Sequence, residues 1–521
     1  MFTIKINHHG RQEQREYMAP VLLADVIHDC NIEFSMPCSG NHTCGKCRVT
    51  AAGTLSAVTP AEARFLTAEE LADGIRLACF TYAQGDAVLT LRQQGAEQIL
   101  TTGSMEALTL DPLEKGYGIA VDIGTTTVVS YLYRTDSAQP VQVVSHHNQQ
   151  SKYGADVISR IEYCNQNGVE EQHRTIIDQL DRSFDELCRR EGIAASEVTA
   201  CVITGNTTML HLLYGLDPRG IAVAPFTPQS LFGESVSPKR LGLSALSEGC
   251  KLYIPRSVSS YVGADITCAI LASGMTAKQE NGFIVDIGTN GEMALFAGGQ
   301  LKCCSTAAGP AFEGAGIKMG MSALEGAVNK VWAEDGTLRY TTIGNAKPAG
   351  ICGSGIIDAV AAMVNCGLID ETGLINEENE EYASCIGDGA EAEIKIGDSG
   401  VVLTQEDIRK IQLAKSAICA GIYTLIHECG ITAGEIDTFY IAGGFGSFIN
   451  KQSAADMGLI PREVAGRVKV IGNGAGMGAS AVLLSKEALG QSEQIAAQAS
   501  DVELSSNAYF MEQYIDCMMF S

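Results

Sequence analysis

The sequence has few basic residues for its length. Its 521 residues include 36 Lys and Arg against 61 Asp and Glu, which gives a formal net charge of −25. This charge argues against binding to nucleic acid or to an anionic membrane, because both would repel the protein. We therefore expect neither kind of partner, and we expect a partner protein to offer a basic docking patch.

Long apolar runs are also missing. No run approaches the roughly 18 apolar residues that a membrane-spanning helix needs, and the chain opens on the alternating segment 2–6 rather than on a signal region. We expect a cytoplasmic protein. A hydrophobic content of 46% is enough for large cores in several domain-sized units.

A disulfide scaffold is not indicated, although the chain has 18 cysteines. They are scattered through apolar segments of a large chain, where buried reduced thiols are expected. The adjacent Cys303 and Cys304, and also Cys352, could ligate a metal or sense redox state. An ordinary buried thiol remains the simpler interpretation, and no second cluster motif is visible.

Four cysteines near the N-terminus form a pattern with a chemical meaning: Cys38, Cys44, Cys47 and Cys79. The spacing CxxxxxCxxC with one distant Cys matches a 2Fe–2S ferredoxin, in which one loop wraps the cluster and a strand supplies the last thiolate. A zinc site would repeat CxxC or end in HxxxH, and neither accompanies Cys79. We predict that these four residues hold a 2Fe–2S cluster that transfers electrons.

The segments around this loop predict a small β-grasp domain. Residues 2–6, 47–50 and 87–91 read as strands, and residues 21–30 have the apolar spacing of a helix. His42 lies inside the loop, but a Rieske-type site needs two histidines in place of two cysteines. We expect His42 to lie at the surface.

An internal repeat marks the larger part of the chain. The segment GIAVDIGTTT at 118–127 is echoed by GFIVDIGTNG at 282–291. Each predicts a buried strand that ends at an Asp, followed by a Gly-Thr turn into a second strand. Such a turn can aim N–H and hydroxyl groups at phosphate oxygens while the Asp holds a hydrated Mg²⁺. One copy could be an ordinary hairpin, and two copies are a stronger indication.

A second pair of segments also echoes. Residues 202–207, VITGNT, and 440–446, YIAGGFG, both predict a buried strand that ends at a glycine turn. In the later copy, Gly443 and Gly444 would let the backbone pack flat against an adenosine.

These motifs together resemble the actin, Hsp70 and sugar-kinase superfamily, in which two ribonuclease-H-like lobes close on ATP. The order DIGT, DIGT, AGG is similar to that of the two phosphate motifs and the adenosine motif of the superfamily. The resemblance implies that Asp122 and Asp286 are catalytic and face Mg²⁺ and the phosphates from the two lobes. It implies nucleotide contacts for Gly124, Thr125, Thr126, Gly205, Asn206, Gly288, Thr289, Asn290, Gly443 and Gly444.

A long amphipathic helix is predicted between Thr404 and Gly430, with Thr404 as N-cap and Asp407 at the third position. A comparable helix of the superfamily lends polar residues to the adenine ring. The resemblance makes Gln412 and Lys415 candidates for this role, beside the alternative of a solvated helix face.

Further candidates come from glycine-rich stretches and one carboxylate. Gly353, Ser354 and Gly355 open a predicted helix whose N-terminus could receive a phosphate, or they form a tight turn. Glu313 is a weaker candidate for a catalytic carboxylate. Asp265 begins an apolar run, where it would cap a helix or lie near the γ-phosphate.

The joining of an N-terminal 2Fe–2S domain to such an ATPase resembles the reductive activators of corrinoid proteins. The matching phrases, which cover nearly the whole chain, are the cluster loop, AVDIGTTT, ITGNTTM, VDIGTNGEM, AGPAFEGA, ICGSGIID, LTQEDIRKIQLAK and IAGGFG. Those proteins return Co(II) corrinoid of a methyltransferase system to Co(I) with the help of ATP. The resemblance implies a 2Fe–2S cluster, ATP and Mg²⁺ as cofactors, and a corrinoid protein as partner.

No flavin or nicotinamide fingerprint of the GxGxxG type is evident. Electrons are therefore expected from an external reduced ferredoxin or flavodoxin. A homodimer is possible.

The expected fold is α+β and α/β. A β-grasp ferredoxin domain over 1–92 and a linker over 93–115 would precede two ribonuclease-H-like lobes at 116–280 and 281–521. Larger family members insert a further domain after the ferredoxin part, and only a linker fits there in this chain.

Other functions stay open at this point. One is a sugar-kinase-like enzyme with a redox sensor, and another is an activator or electron donor for an acyl-CoA reductase or dehydratase. Those activators hold their cluster with cysteines inside the ATPase fold, which counts against that alternative. A third possibility is that ATP only sets a docking state.

Overall fold

The structure is a computed structural model that describes residues 1–8, 11–30, 32, 34, 42, 45–91, 108–387, 391–443 and 449–520. Within these ranges the chain divides into two units. One comprises residues 1–91 with the short segment 151–155, and the other comprises residues 108–150 and 156–520. Most of the predicted linker, residues 93–107, lies outside the described residues.

The N-terminal unit is a mixed sheet with a helix packed on it. Its strands and helices are β1 Phe2–His8, β2 Arg11–Tyr17, β3 Val21–Leu22, α1 Leu23–Asp29, β4 Arg48–Leu55, α2 Pro60–Ala63, α3 Ala68–Ala72, β5 Ile75–Leu77 and β6 Tyr82–Thr90. The strand order is β2-β1-β6-β4-β5, and β1 runs parallel to β6. Ile4 and Ile6 point into the same core as Leu23 and Ile27. This arrangement confirms the predicted β-grasp domain.

The first sheet of the larger unit follows the first DIGT segment. Its elements are β7 Tyr117–Ile123, β8 Thr127–Arg134, β9 Pro140–His147, α4 Val157–Asn167, α5 Glu170–Glu191, β10 Val198–Gly205, α6 Thr207–Tyr214, α7 Arg219–Ala222, β11 Phe232–Val236, α8 Pro238–Leu241, β12 Lys251–Arg256, α9 Ala264–Ser273 and α10 Met275–Lys278. The order is β11-β12-β10-β7-β8-β9, with β7, β8 and β9 antiparallel and β10 parallel to β7.

The second half of this unit repeats the arrangement of five of these strands, and its sixth strand lies at the other edge of the sheet. Its elements are β13 Gly282–Ile287, β14 Gly291–Ala297, β15 Gln300–Thr306, β16 Ala327–Glu334, β17 Thr337–Thr342, β18 Gly350–Ile351, α11 Gly353–Asn365, β19 Glu393–Lys395, β20 Val402–Thr404, α12 Gln405–Glu428, β21 Thr438–Ala442, α13 Lys451–Asp456, β22 Val468–Gly472, α14 Gly474–Leu484, α15 Lys486–Gln498, β23 Ala499–Asp501 and α16 Ala508–Asp516. The main sheet has the order β22-β21-β13-β14-β15-β23. The repeat found in the sequence is therefore a repeat of two sheets.

Short 3₁₀ turns join some of these elements. They lie at Gln149–Tyr153, Ala195–Glu197, Pro310–Glu313, Ile343–Asn345, Ala383–Cys385, Ala433–Glu435 and Arg462–Arg467.

Two helices connect the sheets of the larger unit. Val482 of α14 shares a core with Val202 of the first sheet, although α14 follows strand β22 of the second sheet in the chain. Ile266 of α9 shares a core with Ile284 of the second sheet. The helices cross closely, because a β-carbon on Gly478 would come within 2.0 Å of a backbone oxygen in α9. Small residues in α14 make this crossing possible.

The predicted long helix is present as α12. Thr404 Oγ1 accepts from the Asp407 N–H at 3.2 Å, and Asp407 Oδ2 accepts from the Thr404 N–H at 3.1 Å. This reciprocal capping box fixes the helix start where the sequence predicts it.

In the part of the chain that the structure describes, no helix has the length and apolar character that crossing a bilayer requires.

Candidate functional site

The described part of the predicted cluster site brings two ligand candidates together. The Cys47 and Cys79 Sγ atoms lie 3.2 Å apart, and the Cys79 N–H points at Cys47 Sγ over 3.5 Å. The separation is too long for a disulfide. It is close to the roughly 3.8 Å expected for two thiolates on one tetrahedral metal with bonds near 2.3 Å. The pair fits two ligands of a single iron, whereas Cys38 and Cys44 lie outside the described residues.

The loop residues between these cysteines have structural roles. The exposed His42 ring shares a hydrogen bond with the Cys79 carbonyl at 2.8 Å and stacks on Phe80. Gly45 has φ +62°, and a β-carbon there would meet the Phe65 ring at 2.7 Å. His42 is at the surface as predicted, and Gly45 lets the loop turn back before Cys47.

The first predicted phosphate turn is a tight link between β7 and β8. The Gly124 N–H donates to the Thr127 carbonyl at 2.9 Å. A β-carbon on Gly124 would come within 2.7 Å of that carbonyl, so only glycine fits this approach. Asp122 is the next-to-last residue of β7, two positions before Gly124.

Polar side chains hold this turn. Asn148 Nδ2 donates to the Gly124 carbonyl at 2.8 Å, and Arg160 Nη2 donates to the Thr125 carbonyl at 2.6 Å. Asn206 Nδ2 donates to Thr125 Oγ1 at 3.1 Å while its Oδ1 caps α6. The structure therefore brings Gly205 and Asn206 to the first predicted phosphate turn, and their contact with nucleotide stays a prediction.

The second predicted phosphate turn links β13 to β14. The Gly288 N–H donates to the Asn290 carbonyl at 2.9 Å, and Thr289 Oγ1 donates to Glu313 Oε1 at 3.0 Å. Glu313 therefore lies at this turn. Asp286 at the end of β13 pairs across the hairpin with Glu292 of β14, so their side chains share one face.

Four half-buried carboxylates act on one another between the two turns: Asp122, Asp265, Asp286 and Glu292. Asp265 is the second residue of α9 rather than its cap, and its Oδ1 accepts from the Ile266 N–H. Gly263, two residues before Asp265, packs against the backbone of Asn206. The two halves of the repeat thus contribute acidic groups to one place.

Burial and mutual repulsion raise the pKa values of these groups. Burial, then Asp265 and Asp286, raise the pKa of Asp122 to about 8, and an Asn473 hydrogen bond opposes this. Burial and Asp265 raise the pKa of Asp286 to about 7, and burial raises that of Asp265 to about 6. The pKa of Glu292 is also well above its usual value, through burial and both neighbouring aspartates.

No lysine or arginine in the described ranges forms an ion pair with these four carboxylates. A hard divalent cation is the partner that such oxygen ligands accept best, and phosphate oxygens complete the shell of Mg²⁺. Among the described residues no group of three or more acidic, histidine or cysteine side chains is arranged to ligate a metal ion directly, so these carboxylates fit a hydrated Mg²⁺ that arrives with the nucleotide.

The glycine of the predicted adenosine motif lies beside this group. Gly443 has φ +91°, and its N–H donates to the Gly472 carbonyl at 3.0 Å. A β-carbon on Gly443 would come within 2.4 Å of Asp286 Oδ1. Gly444 lies outside the described residues.

The N-terminus of α11 packs against a strand. Ser354 Oγ donates to the Asn329 carbonyl at 3.0 Å, and a β-carbon on Gly355 would come within 2.2 Å of the Val328 carbonyl. These contacts account for the small residues at 353–355 by packing on β16. A phosphate contact of Gly353, Ser354 and Gly355 stays a prediction.

The polar residues predicted to face adenine contact the C-terminal segment. Lys415 Nζ donates to the Met519 carbonyl at 2.6 Å and lies over the Phe520 ring. Gln412 Nε2 donates to the Met518 carbonyl at 2.9 Å. These contacts give both side chains a structural role that the sequence analysis did not foresee, and their contact with nucleotide stays a prediction.

Several residues of the site were missed in the sequence. Glu292 could have been predicted from the sequence, because a three-residue turn after Ile287 places it opposite Asp286. No sequence pattern marks Asn148, Arg160 or Asn473, because their roles depend on how separate elements pack.

Three family models match the chain. A model described as the C-terminal domain of RACo, the ASKHA domain, matches residues 280–521. A model described as the RACo middle region matches residues 117–278, and a 2Fe–2S iron–sulfur cluster binding domain matches residues 6–84. The middle region is therefore present as the part that we predicted as the first lobe, which corrects the expectation of a chain that lacks it.

Curated proteins and a solved structure extend this similarity. The chain is 36% identical over 424 residues to the corrinoid activation enzyme RamQ of Eubacterium limosum, covering 78% of this chain and 70% of that protein. It is 26% identical over 375 residues to the [Co(II) methylated amine-specific corrinoid protein] reductase of Methanosarcina barkeri, covering 66% of each. A solved reductive activator for corrinoid, iron–sulfur protein is similar with a TM-score of 0.70 and 29% identity, covering 100% of this chain and 98% of that one.

Proposed function

The chain belongs to the RACo family of reductive activators of corrinoid proteins, and we propose that it transfers one electron at a time to a Co(II) corrinoid protein in a step that MgATP promotes. The product is the Co(I) corrinoid that accepts methyl groups. One observation carries the ATP part of the proposal: both halves of the repeat place carboxylates and a tight turn at the same location.

The electron-transfer site is in the N-terminal unit. We assign Cys38, Cys44, Cys47 and Cys79 as ligands. The close approach of the Cys47 and Cys79 sulfurs supports the assignment of these two residues. A 2Fe–2S cluster bound there supplies single electrons at low potential. The chain's own contribution is the Cys79 N–H, which points at Cys47 Sγ and would stabilise negative charge on that sulfur.

ATP has a thermodynamic task in this reaction. A Co(I) corrinoid is a stronger reductant than a cluster of plant type, near about −400 mV, so the electron moves uphill. Each 30 mV for one electron corresponds to roughly 0.7 kcal/mol. Differential binding of the Co(II) and Co(I) forms can supply free energies of that order, and nucleotide turnover would then release the complex.

The larger unit binds the nucleotide in this proposal. Asp122 and Asp286 hold the hydrated Mg²⁺ from the two halves, while the turns at 124–126 and 288–290 receive the phosphates. Gly443 leaves room beside Asp286 for the bound complex. The repulsion among the carboxylates falls when the cation binds. Nucleotide binding therefore weakens the repulsion between the carboxylates of the two halves.

The partners follow from the reaction and from charge. A corrinoid protein of a methyltransferase system is the electron acceptor, and an external reduced ferredoxin or flavodoxin is the donor. The net charge of −25 favours partners that present a basic patch. A homodimer fits the proposal but is not required by it.

The decisive experiment uses the anaerobically reduced protein and a Co(II) corrinoid protein. The Co(I) absorption band is followed with and without MgATP, and phosphate release is measured in parallel. We expect Co(I) to form only with MgATP, and an Asp286→Ala variant to lose this effect while it keeps the cluster spectrum. Absence of ATP-dependent Co(I) would overturn the proposal. Co(I) formation without phosphate release would mean that nucleotide binding alone is sufficient.

A further inference from the structure

Arg160 is an unexpected group behind the first phosphate turn. It lies in α4, its side chain is 0% exposed, and it is among the largest fully buried side chains of the chain. Its Nη2 donates to the Thr125 carbonyl at 2.6 Å, and its Nη1 lies 3.1 Å from the Met209 sulfur. A buried guanidinium is thus fixed directly to a residue that we assign to phosphate binding.

Burial of this side chain is costly. Removing a guanidinium from water is unfavourable unless the surrounding groups compensate. Burial lowers the pKa of Arg160 to about 9, and Asp156 opposes this, so the group stays positively charged near neutral pH. The chain therefore maintains a positive charge under the turn that would bind an anion.

Asn148 holds the same turn from the same side, because its Nδ2 lies 3.7 Å from the Met209 sulfur that Arg160 also contacts. It is 0% exposed, its Nδ2 donates to the Gly124 carbonyl, and its backbone N–H donates to the Thr126 carbonyl at 2.8 Å. With Arg160 on Thr125, three successive carbonyls of the turn accept hydrogen bonds from these two residues. The turn is held along its whole length.

The direction of these carbonyls sets the direction of the turn's donors. In a planar trans peptide the N–H of one residue points opposite to the carbonyl of the residue before it. Since the Gly124 and Thr125 carbonyls point towards Asn148 and Arg160, the N–H groups of Thr125 and Thr126 point away from them. Successive N–H groups that point to one side form an anion-binding arrangement.

We propose that Arg160 is a positioning residue for the nucleotide phosphates. By holding the Thr125 carbonyl it keeps the Thr126 N–H directed at the phosphate, while Asn148 does the same for the Thr125 N–H through the Gly124 carbonyl. The charge of Arg160 also offsets part of the negative charge of the ligand. This inference rests on the proposed function, because it concerns the same nucleotide site.

The test replaces Arg160 in the full chain and measures binding as well as turnover. Arg160→Met keeps the length and apolar contacts of the side chain and removes the donor and the charge. Arg160→Lys keeps the charge with a single donor group. We expect the dissociation constant of a non-hydrolysable Mg²⁺–ATP analogue to rise roughly tenfold to a hundredfold in Arg160→Met, as for loss of a charge-assisted hydrogen bond. A smaller rise is expected in Arg160→Lys.

A second measurement separates positioning from loss of fold. Hydrogen exchange of the amides at 124–127 should show nucleotide-dependent protection in the wild-type chain and a weaker protection in both variants. Arg174→Met, on the exposed side of the neighbouring helix, is the matched control and should bind as the wild type does. If Arg160→Met does not fold, Arg160→Lys carries the test.

The outcomes separate this inference from the proposed function. Wild-type affinity and protection in folded Arg160 variants would overturn the role of Arg160 and leave the nucleotide site intact. If the wild-type chain does not bind the analogue at all, the nucleotide site is wrong and the inference falls with it.

Discussion

Gly443 lies against the carboxylate of Asp286, so closely that a β-carbon built on Gly443 would come within 2.4 Å of Asp286 Oδ1. The φ of +91° at Gly443 is itself unfavourable for any residue with a β-carbon. The backbone at Gly443, in the predicted adenosine motif, therefore packs directly against Asp286, the predicted Mg²⁺ ligand. A change at the glycine must displace the carboxylate.

We predict that Gly443→Ala weakens binding of MgATP and slows ATP-dependent formation of Co(I). The strain of the left-handed conformation costs about 1–2 kcal/mol, and the contact with Asp286 adds a displacement of the ligand. Isothermal titration with a non-hydrolysable analogue measures the affinity. The cluster spectrum should be unchanged, because the cysteines lie in the other unit.

Gly430→Ala is the matched control for that substitution. Gly430 has φ +67°, and a β-carbon there would meet no atom within 4 Å. It imposes a similar backbone strain without a contact at the site. Equal effects of the two substitutions on nucleotide affinity would mean that the closeness of Gly443 to Asp286 has no functional consequence.

Some of the site follows from local rules that act on neighbouring residues. The start of α12 was predictable because Thr404 and Asp407 satisfy each other's backbone groups within one turn. The Asp286 turn was predictable because a buried strand, a Gly-Thr pair and a second strand make a hairpin. The pairing of Glu292 with Asp286 follows from the register of that hairpin, although it was not drawn from the sequence.

Other parts depend on contacts between residues far apart in the chain. Arg160 reaches Thr125 across 35 positions, and its role depends on where α4 packs. Lys415 bonds to Met519, which is 104 positions later in the chain. The C-terminal segment therefore buries a lysine that the sequence alone would place on a solvated helix face. Helical periodicity reports which face of a helix is apolar, and it does not report which segment covers the polar face.

The cysteine pair leads to a second prediction. Cys79→Ala should abolish the visible absorption and the paramagnetic signal of the reduced cluster, because it removes one of the two sulfurs that lie 3.2 Å apart and leaves no ligand atom in its place. Electron transfer to the corrinoid protein should be lost, while the MgATP affinity of the larger unit stays unchanged. Cys30→Ala is the control, since Cys30 is a buried thiol of the same core that lies outside the predicted ligand set. Retention of a full cluster in Cys79→Ala would contradict the assigned ligands.

Lys415 provides a third prediction. Its ammonium is buried, donates to the Met519 carbonyl at 2.6 Å, and has its pKa lowered by desolvation. Lys415→Met leaves that carbonyl without its donor, which costs about 1–3 kcal/mol before the relief of lysine desolvation is counted. We expect a lower midpoint of thermal unfolding and a nucleotide affinity within about twofold of the wild type.

The matched control for this lysine is Lys410→Met on the same helix, where the side chain is less buried and bonds to the Gly316 carbonyl. It should affect stability less. A tenfold or greater loss of nucleotide affinity in Lys415→Met alone would instead support the contact with adenine that the superfamily resemblance implies.

The raised pKa values of the carboxylates predict how stability depends on pH. Asp122, Asp286 and Asp265 have pKa values of about 8, 7 and 6, all above the usual value near 3.9. At these three groups the folded chain therefore binds more protons than the unfolded chain between about pH 4 and pH 8. The contribution of these three groups to stability without Mg²⁺ therefore falls as the pH rises through that window, because their ionisation is harder in the folded state.

Mg²⁺ with nucleotide should oppose that loss, since the cation binds the ionised carboxylates and competes with protons. We expect the increase in unfolding midpoint on addition of MgATP to grow from pH 6 to pH 8.5. Asp122→Asn removes the group with the highest of these three pKa values, so its midpoint without Mg²⁺ should decline less between pH 7 and pH 8.5 than that of the wild type. Parallel pH curves for Asp122→Asn and the wild type would contradict the raised pKa of Asp122. A MgATP effect that does not change with pH would contradict its role as a ligand to the cation.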